Sequence, residues 1–111
     1  MALDFTHIKG DSFEAVNFQM LVNTVALNLT GCTLRMQIRK EYGGIVYLSL
    51  TSIASAGITI TTAASGLFRI NKQIINIDAA NYIYDIELIK ADGTIKTYIS
   101  GNFSITNDVT R

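Results

Sequence analysis

Proline is absent from this chain of 111 residues, and cysteine, histidine and charge are scarce. Without proline, no turn can rest on a cis X–Pro bond or a ring-fixed φ, so Gly, Asn and Asp must shape the chain reversals. The single cysteine, Cys32, excludes an intramolecular disulfide framework and a cysteine-based metal site. It follows Gly31 and reads as a small buried thiol rather than a nucleophile. The single histidine means that Ser/His/Asp catalysis would have to use His7. Asp4, three positions earlier, falls on the opposite face of a strand, and there is no Gly-x-Ser-x-Gly turn. His7 therefore reads as a partly exposed strand residue.

Charged side chains make up 16% of the chain, against about 25% in a typical soluble domain. Nine basic and nine acidic residues cancel. No basic stripe is available to neutralise phosphates: Arg35, Arg39 and Lys40 fall on one predicted strand with Glu41 beside them, so nucleic acid is not an expected partner. The N-terminus lacks a basic segment followed by an apolar one, so no signal peptide is expected. Apolar runs stop well short of the roughly 18 residues of a membrane-spanning helix, so no membrane partner is expected and assembly in a host cytoplasm is. Asp78, Asp85, Asp92 and Asp108 do not form a calcium loop, and Gly10-Asp11-Ser12 is too short for a phosphate loop. No cofactor or metal is expected.

What the chain does have is alternation. Hydrophobic residues reach 49%, and most recur at every second position, the period of a half-buried strand. Leu3, Phe5 and His7 alternate before Gly10-Asp11. The run from Phe13 through Phe18 and Met20 to Val22 changes phase near Ala15-Val16, a bulge or a switch of face. Thr33 to Arg39 is the cleanest strand, with Leu34, Met36 and Ile38 on one face and Arg35, Gln37 and Arg39 on the other. Val46, Leu48 and Leu50 follow the Gly43-Gly44 turn. Further short strands carry Ile58 with Ile60, and Leu67 to Ile70. Between Lys72 and Asn81 the pattern fits either a strand end or one helical turn capped by Asp78.

The closing segment reads as a β-hairpin, Tyr82 to Lys90 and Thr94 to Gly101, around Ala91-Asp92-Gly93. Asp92-Gly93 between alternating runs predicts a type I′ turn with positive φ at both residues. Seven to nine short strands in one domain spanning residues 1–111 point to a β-sandwich or small barrel. Low charge and neutrality favour a subunit that works in an assembly.

Two constellations invite a chemical reading. Asp85 and Glu87 share a strand face and could serve as paired carboxylates. Arg35 and Arg39 form a complementary row, so the expectation is structural ion pairing among these four rather than catalysis. Tyr42, Tyr47, Tyr82, Tyr84 and Tyr98 could stack on sugar rings, although strand tyrosines more commonly pack sheet faces.

Three sets of segments, taken in order, resemble a family of small tailed-bacteriophage proteins. They are Ile8-Lys-Gly-Asp-Ser-Phe13; Leu27-Asn-Leu-Thr-Gly31 running into Leu34-Arg-Met-Gln-Ile-Arg39; and Tyr84-Asp-Ile-Glu-Leu88 with Asp92-Gly93, Gly101-Asn-Phe-Ser-Ile105 and Val109-Thr-Arg111. The likeness is to the immunoglobulin-like N-terminal domain of upper-baseplate proteins. It implies an all-β, immunoglobulin-like sandwich that is not an enzyme. The implied role is a multi-copy virion adaptor of the tail, neck or baseplate, anchoring fibres or neighbouring subunits. A capsid decoration protein and a small carbohydrate-binding module are the alternatives. Ending at Arg111, the chain is expected to lack a fibre shaft, and Asp108, Val109, Thr110 and Arg111 are a candidate interface tail.

Overall fold

The computed structural model describes residues 3–107, and there the alternating runs become paired strands. Five strands form the larger sheet. In spatial order they are β1 (Phe5–Ile8), β12 (Ile95–Thr106), β11 (Ala80–Ile89), β6 (Thr33–Arg39) and β7 (Val46–Thr51). A second sheet orders β3 (Val16–Gln19), β9 (Leu67–Ile70) and β8 (Ile58–Thr62). Two short ribbons join β2 (Ser12–Phe13) to β10 (Gln73–Ile74), and β4 (Leu21–Val22) to β5 (Val25–Ala26). Eight of these strands reach four residues, so the expected seven to nine describe the principal strands.

The two sheets face each other across one apolar core. Leu34, Met36, Ile38, Ile86, Leu88 and Ile99 line the larger sheet, and Phe18, Ile58, Phe68 and Ile70 the smaller. Phe18 and Phe68 stack with ring centroids 5.0 Å apart. Near the N-terminus Phe5, Phe13 and Phe103 form an aromatic cluster with centroids 5.4–5.7 Å apart. Large rings meeting in tilted geometries supply much of the burial a small domain needs.

Strand order identifies the architecture. β3, β6, β11 and β12 take the positions of strands B, C, F and G of an immunoglobulin sandwich, and β8 and β9 those of D and E. Tyr82, near the start of β11, donates its hydroxyl to the carbonyl of Asp78 at 2.6 Å. That bond is the tyrosine corner, which in such sandwiches ties the start of strand F to the backbone just upstream. The protein is an all-β, immunoglobulin-like sandwich.

Several local features differ from expectation. The phase change near Ala15-Val16 is a switch of sheet: β2 pairs with β10, whereas β3 pairs with β9. No helical turn forms at Asp78; a two-residue strand and an irregular segment lead instead into the corner. The hairpin at Asp92-Gly93 is present, but only Gly93 has positive φ, at 92°. Lys90 N–H donates to Thr94 O and Gly93 N–H to Lys90 O, which closes a three-residue loop instead of a type I′ turn. The Asp92 carboxylate accepts from Thr94 N–H at 2.9 Å, and that bond holds its pKa below the ordinary value. The tight two-residue turn predicted here is found elsewhere, between β4 and β5, where Asn23 (φ 51°) and Thr24 (φ 66°) are both left-handed.

A β-branched residue is poorly suited to that conformation. Relief of left-handed strain, roughly 1–2 kcal/mol, outweighs the roughly 0.5–1 kcal/mol entropic cost of glycine. Thr24→Gly should therefore stabilise the protein by about 0.5–1 kcal/mol in urea denaturation. A lowered midpoint would contradict the turn assignment.

Candidate functional site

The outer face of the larger sheet carries the chain's most concentrated polar chemistry. Antiparallel register sets Arg35 opposite Glu87, Gln37 opposite Asp85 and Arg39 opposite Ile83. Alternation aims Leu34, Met36 and Ile38 into the core and so forces the intervening polar residues onto the outer face. Arg35 Nη2 donates to Glu87 Oε2 at 2.5 Å, with side-chain exposures of 37% and 20%. The expected pairing of Arg39 with Asp85 does not form, because the register separates them. Arg39 donates instead to Gly44 O at 2.9 Å and to Gln37 Oε1 at 3.0 Å, fastening the loop between β6 and β7 to the sheet.

The Asp85 side chain is half-buried, and its carboxylate accepts no hydrogen bond among the described residues. Burial pushes its pKa up, the Glu87 carboxylate adds to the rise, and Arg39 and Arg35 oppose it. It faces a cleft of 320 Å³ whose walls include Gln37, Arg39, Tyr42, Glu87 and Thr97.

Removing Arg35 strands Glu87 in a partly dry site. Arg35→Ala is expected to cost about 1–2 kcal/mol, less at high salt, in equilibrium unfolding. Asp85→Asn should have the opposite sign at neutral pH. The folded state holds the Asp85 proton more tightly than the unfolded chain does. The support Asp85 gives to folding is therefore present at low pH and lost as pH rises through its raised pKa. Asp85→Asn should melt higher than the parent at pH 7, and the two should converge as pH falls below the ordinary carboxyl pKa. A gap independent of pH would contradict this.

The other residues that the sequence offered as candidates are dispersed. His7 Nε2 lies 3.0 Å from Asp11 O, edge-on to Phe13, while the Asp4 carboxylate accepts from Asn102 N–H, so no triad forms. Cys32 is half-buried and its Sγ lies 3.8 Å from Thr30 O. The five tyrosines do not make a platform: Tyr82 and Tyr84 are core residues, whereas Tyr42 is 93% exposed at the cleft rim. Tyr84 donates to Leu3 O, and burial with the nearby Asp4 charge pushes its pKa up to about 12. Among the described residues no group of three His, Cys, Asp or Glu side chains could hold a metal ion, and no helix is long and apolar enough to cross a membrane. The candidate tail Asp108, Val109, Thr110 and Arg111 lies outside the described residues.

Beside the cleft runs a feature the sequence pattern did not single out. β7 and β8 are edge strands of the two sheets, and neither carries a charged residue. Large apolar side chains stand exposed around β7: Tyr42, Ile45 at 74%, Val46, Tyr47 and Ile53 at 66%. Lys40 lies over the Tyr47 ring at 5.1 Å. Edge strands in monomers are commonly blunted by Lys, Pro or bulges. Here a bulge interrupts the start of β7 opposite Ile38-Arg39, and at the other end Thr51 bridges in parallel to Gly57, which leaves Leu48 to Leu50 as the open stretch.

No protein-family model matches the chain, and no curated protein matches it. Among solved structures it is similar to CopC from Methylosinus trichosporium OB3b, with 11% identity, 93% of this chain and 84% of that chain covered, and a TM-score of 0.48. The class of the protein rests on its own strand order and tyrosine corner.

Proposed function

We propose that this chain is a non-enzymatic virion structural protein of a tailed bacteriophage, an adaptor or attachment module of the tail, neck or baseplate that acts in several copies. The ordered segments from Ile8 to Val109-Thr-Arg111 suggest the family, and the immunoglobulin-like sandwich accords with it. The observation that carries the reading is the uncharged double edge of β7 and β8 with its exposed aliphatic and aromatic side chains. An isolated monomer gains nothing from such an edge, whereas a subunit covers it on assembly. The polar outer face, tied by Arg35–Glu87 and the Arg39 bonds, provides a stiff platform rather than reactive groups.

Immunogold electron microscopy of particles from a culture expressing the gene tests the reading. Label at the tail, neck or baseplate is the expected result. Label spread over the capsid would instead support a decoration protein. Recovery of the chain only in particle-free fractions would refute both. A small carbohydrate-binding module is the second reading, favoured by the cleft that sets exposed Tyr42 beside Asp85 and Gln37. Retention of specific glycans on an array, by protein absent from particles, would establish it.

A further inference from the structure

We propose that the cleft on the outer face of the larger sheet binds one neutral sugar ring, held by Asp85 and Gln37 and covered by Tyr42. The proposal rests on the carbohydrate reading above and deepens it, naming the size, the charge and the seat of the ligand. It is compatible with a place in a virion.

Register explains why there is a hollow. Gln37, Asp85 and Ser100 stand side by side across β6, β11 and β12. The rows on either side carry Arg35 with Glu87 and Arg39 with Ile83. Longer side chains therefore flank a row that ends in a serine, and a space of 320 Å³ is left between them. Small-molecule sites run from roughly 300 to 1,000 Å³, so this one holds a single ring rather than a chain of them.

Charge argues against an ionic ligand. The carboxylates of Asp85 and Glu87 and the guanidinium groups of Arg35 and Arg39 cancel. Glu87 is committed to Arg35, and both Nη atoms of Arg39 are committed, to Gly44 O and to Gln37 Oε1. An added cation would meet Arg39 in the wall, and an added anion would meet Asp85. The bonding capacity that remains is mixed. The Asp85 carboxylate can only accept, while Gln37, with its carbonyl taken by Arg39, has its amide N–H groups to donate. The Thr97 and Ser100 hydroxyls in the same wall do both. An ammonium or guanidinium only donates and a phosphate dianion only accepts, whereas each hydroxyl of a sugar does both.

Tyr42 supplies the apolar half of the contact. Its side chain is exposed, yet its turn is fastened. Gly44 N–H donates to Glu41 O, Gly43 takes the left-handed corner at φ 74°, and Arg39 holds Gly44 O. A ring presented at the mouth of a cleft by a tethered turn is buried only when something flat lies against it. The C–H face of a pyranose is such a surface, and it leaves two adjacent hydroxyls for Asp85 to accept from.

Titration of the full chain, followed by its NMR signals, tests the proposal, with the methyl glycosides of glucose, galactose, mannose and N-acetylglucosamine as probes. At least one should shift Gln37, Asp85, Thr97 and Ser100 saturably, with a millimolar Kd, while Thr61 on β8 stays still. Tyr42→Ala should weaken that binding about three- to tenfold. Asp85→Asn should weaken it at least about tenfold. Asp85→Asn is expected to be the more stable protein at pH 7, so a loss of binding in it is not a loss of fold. Methylguanidinium chloride and inorganic phosphate should leave the same signals in place.

Failure of every glycoside to saturate these signals, binding unmoved by both variants, or saturable binding of methylguanidinium or phosphate at the same residues would each overturn the proposal. Glycans retained on an array by protein whose cleft signals do not move would overturn this site alone and leave the carbohydrate reading standing. An array that retains no glycan would overturn both.

Discussion

Replacing Gly101 by alanine is expected to destabilise the protein by about 2–3 kcal/mol, a large loss for one added methyl. Gly101 lies within β12, opposite Tyr84, where the N-terminal segment crosses it. A Cβ there would fall on the carbonyl oxygen of Leu3 and lie 2.8 Å from Leu3 C and 2.9 Å from Asp4 Oδ1. Most of what it meets is backbone held from several directions. Leu3 N–H donates to Ser100 O, the Tyr84 hydroxyl donates to Leu3 O, and the Asp4 carboxylate accepts from Asn102 N–H. Relief of the overlap means lifting the segment and giving up these bonds together. The expected signature is a lowered urea midpoint, with faster amide exchange at Phe5–Ile8 than elsewhere. Uniform protection across the sheet would show that β1 had not moved, and would count against the mechanism.

Tyr82→Phe should cost about 1–3 kcal/mol, because it leaves the Asp78 carbonyl without its side-chain donor while the ring stays buried. Tyr82→Ala adds a core cavity and should cost about 3–5 kcal/mol. The hydroxyl contribution is separable from packing in this pair of variants, read by chemical denaturation at neutral pH. Burial, with Asp78 and Tyr47 adding to it against Lys40, pushes the Tyr82 pKa up, so the phenol keeps its donor proton well into the alkaline range. A Tyr82→Phe variant as stable as the parent would reduce the corner to ring packing.

The strands of the central sheet were readable because one face of each is buried. Thr33 to Arg39 runs as predicted, and its neighbour β11 begins only two residues earlier than the alternation suggested. Longer-range geometry was less accessible. β12 continues through Gly101 to Thr106 because Gly101 is a crossing point within a strand rather than its end. The type I′ turn fell at Asn23-Thr24 instead of Asp92-Gly93, since loop length, set by strand register, decides the turn type.

At the site, charge and alternation placed Arg35, Arg39, Asp85 and Glu87 on one face. A register that no local pattern encodes decided that only Arg35 and Glu87 meet. Tyr82 at the head of a long alternating strand was the available signal for the corner, since its acceptor is the backbone carbonyl of residue 78, which any residue supplies. The open edge of β7 had only an indirect one, its lack of charge over Val46–Thr51.

The parallel pairing of β1 with β12 has a mechanical consequence. Phe5 stands beside Phe103 and Ile8 beside Thr106, with Leu3 held to Ser100 at one end and Lys9 to Thr106 at the other. The chain therefore enters the sandwich at one pole and leaves at the opposite one, through two adjacent strands. Tension applied between residues 3 and 107 would slide these strands along each other, so the bonds between them share the load and must fail together rather than one by one. A pair of parallel strands loaded in this way resists extension better than a hairpin whose bonds open in sequence.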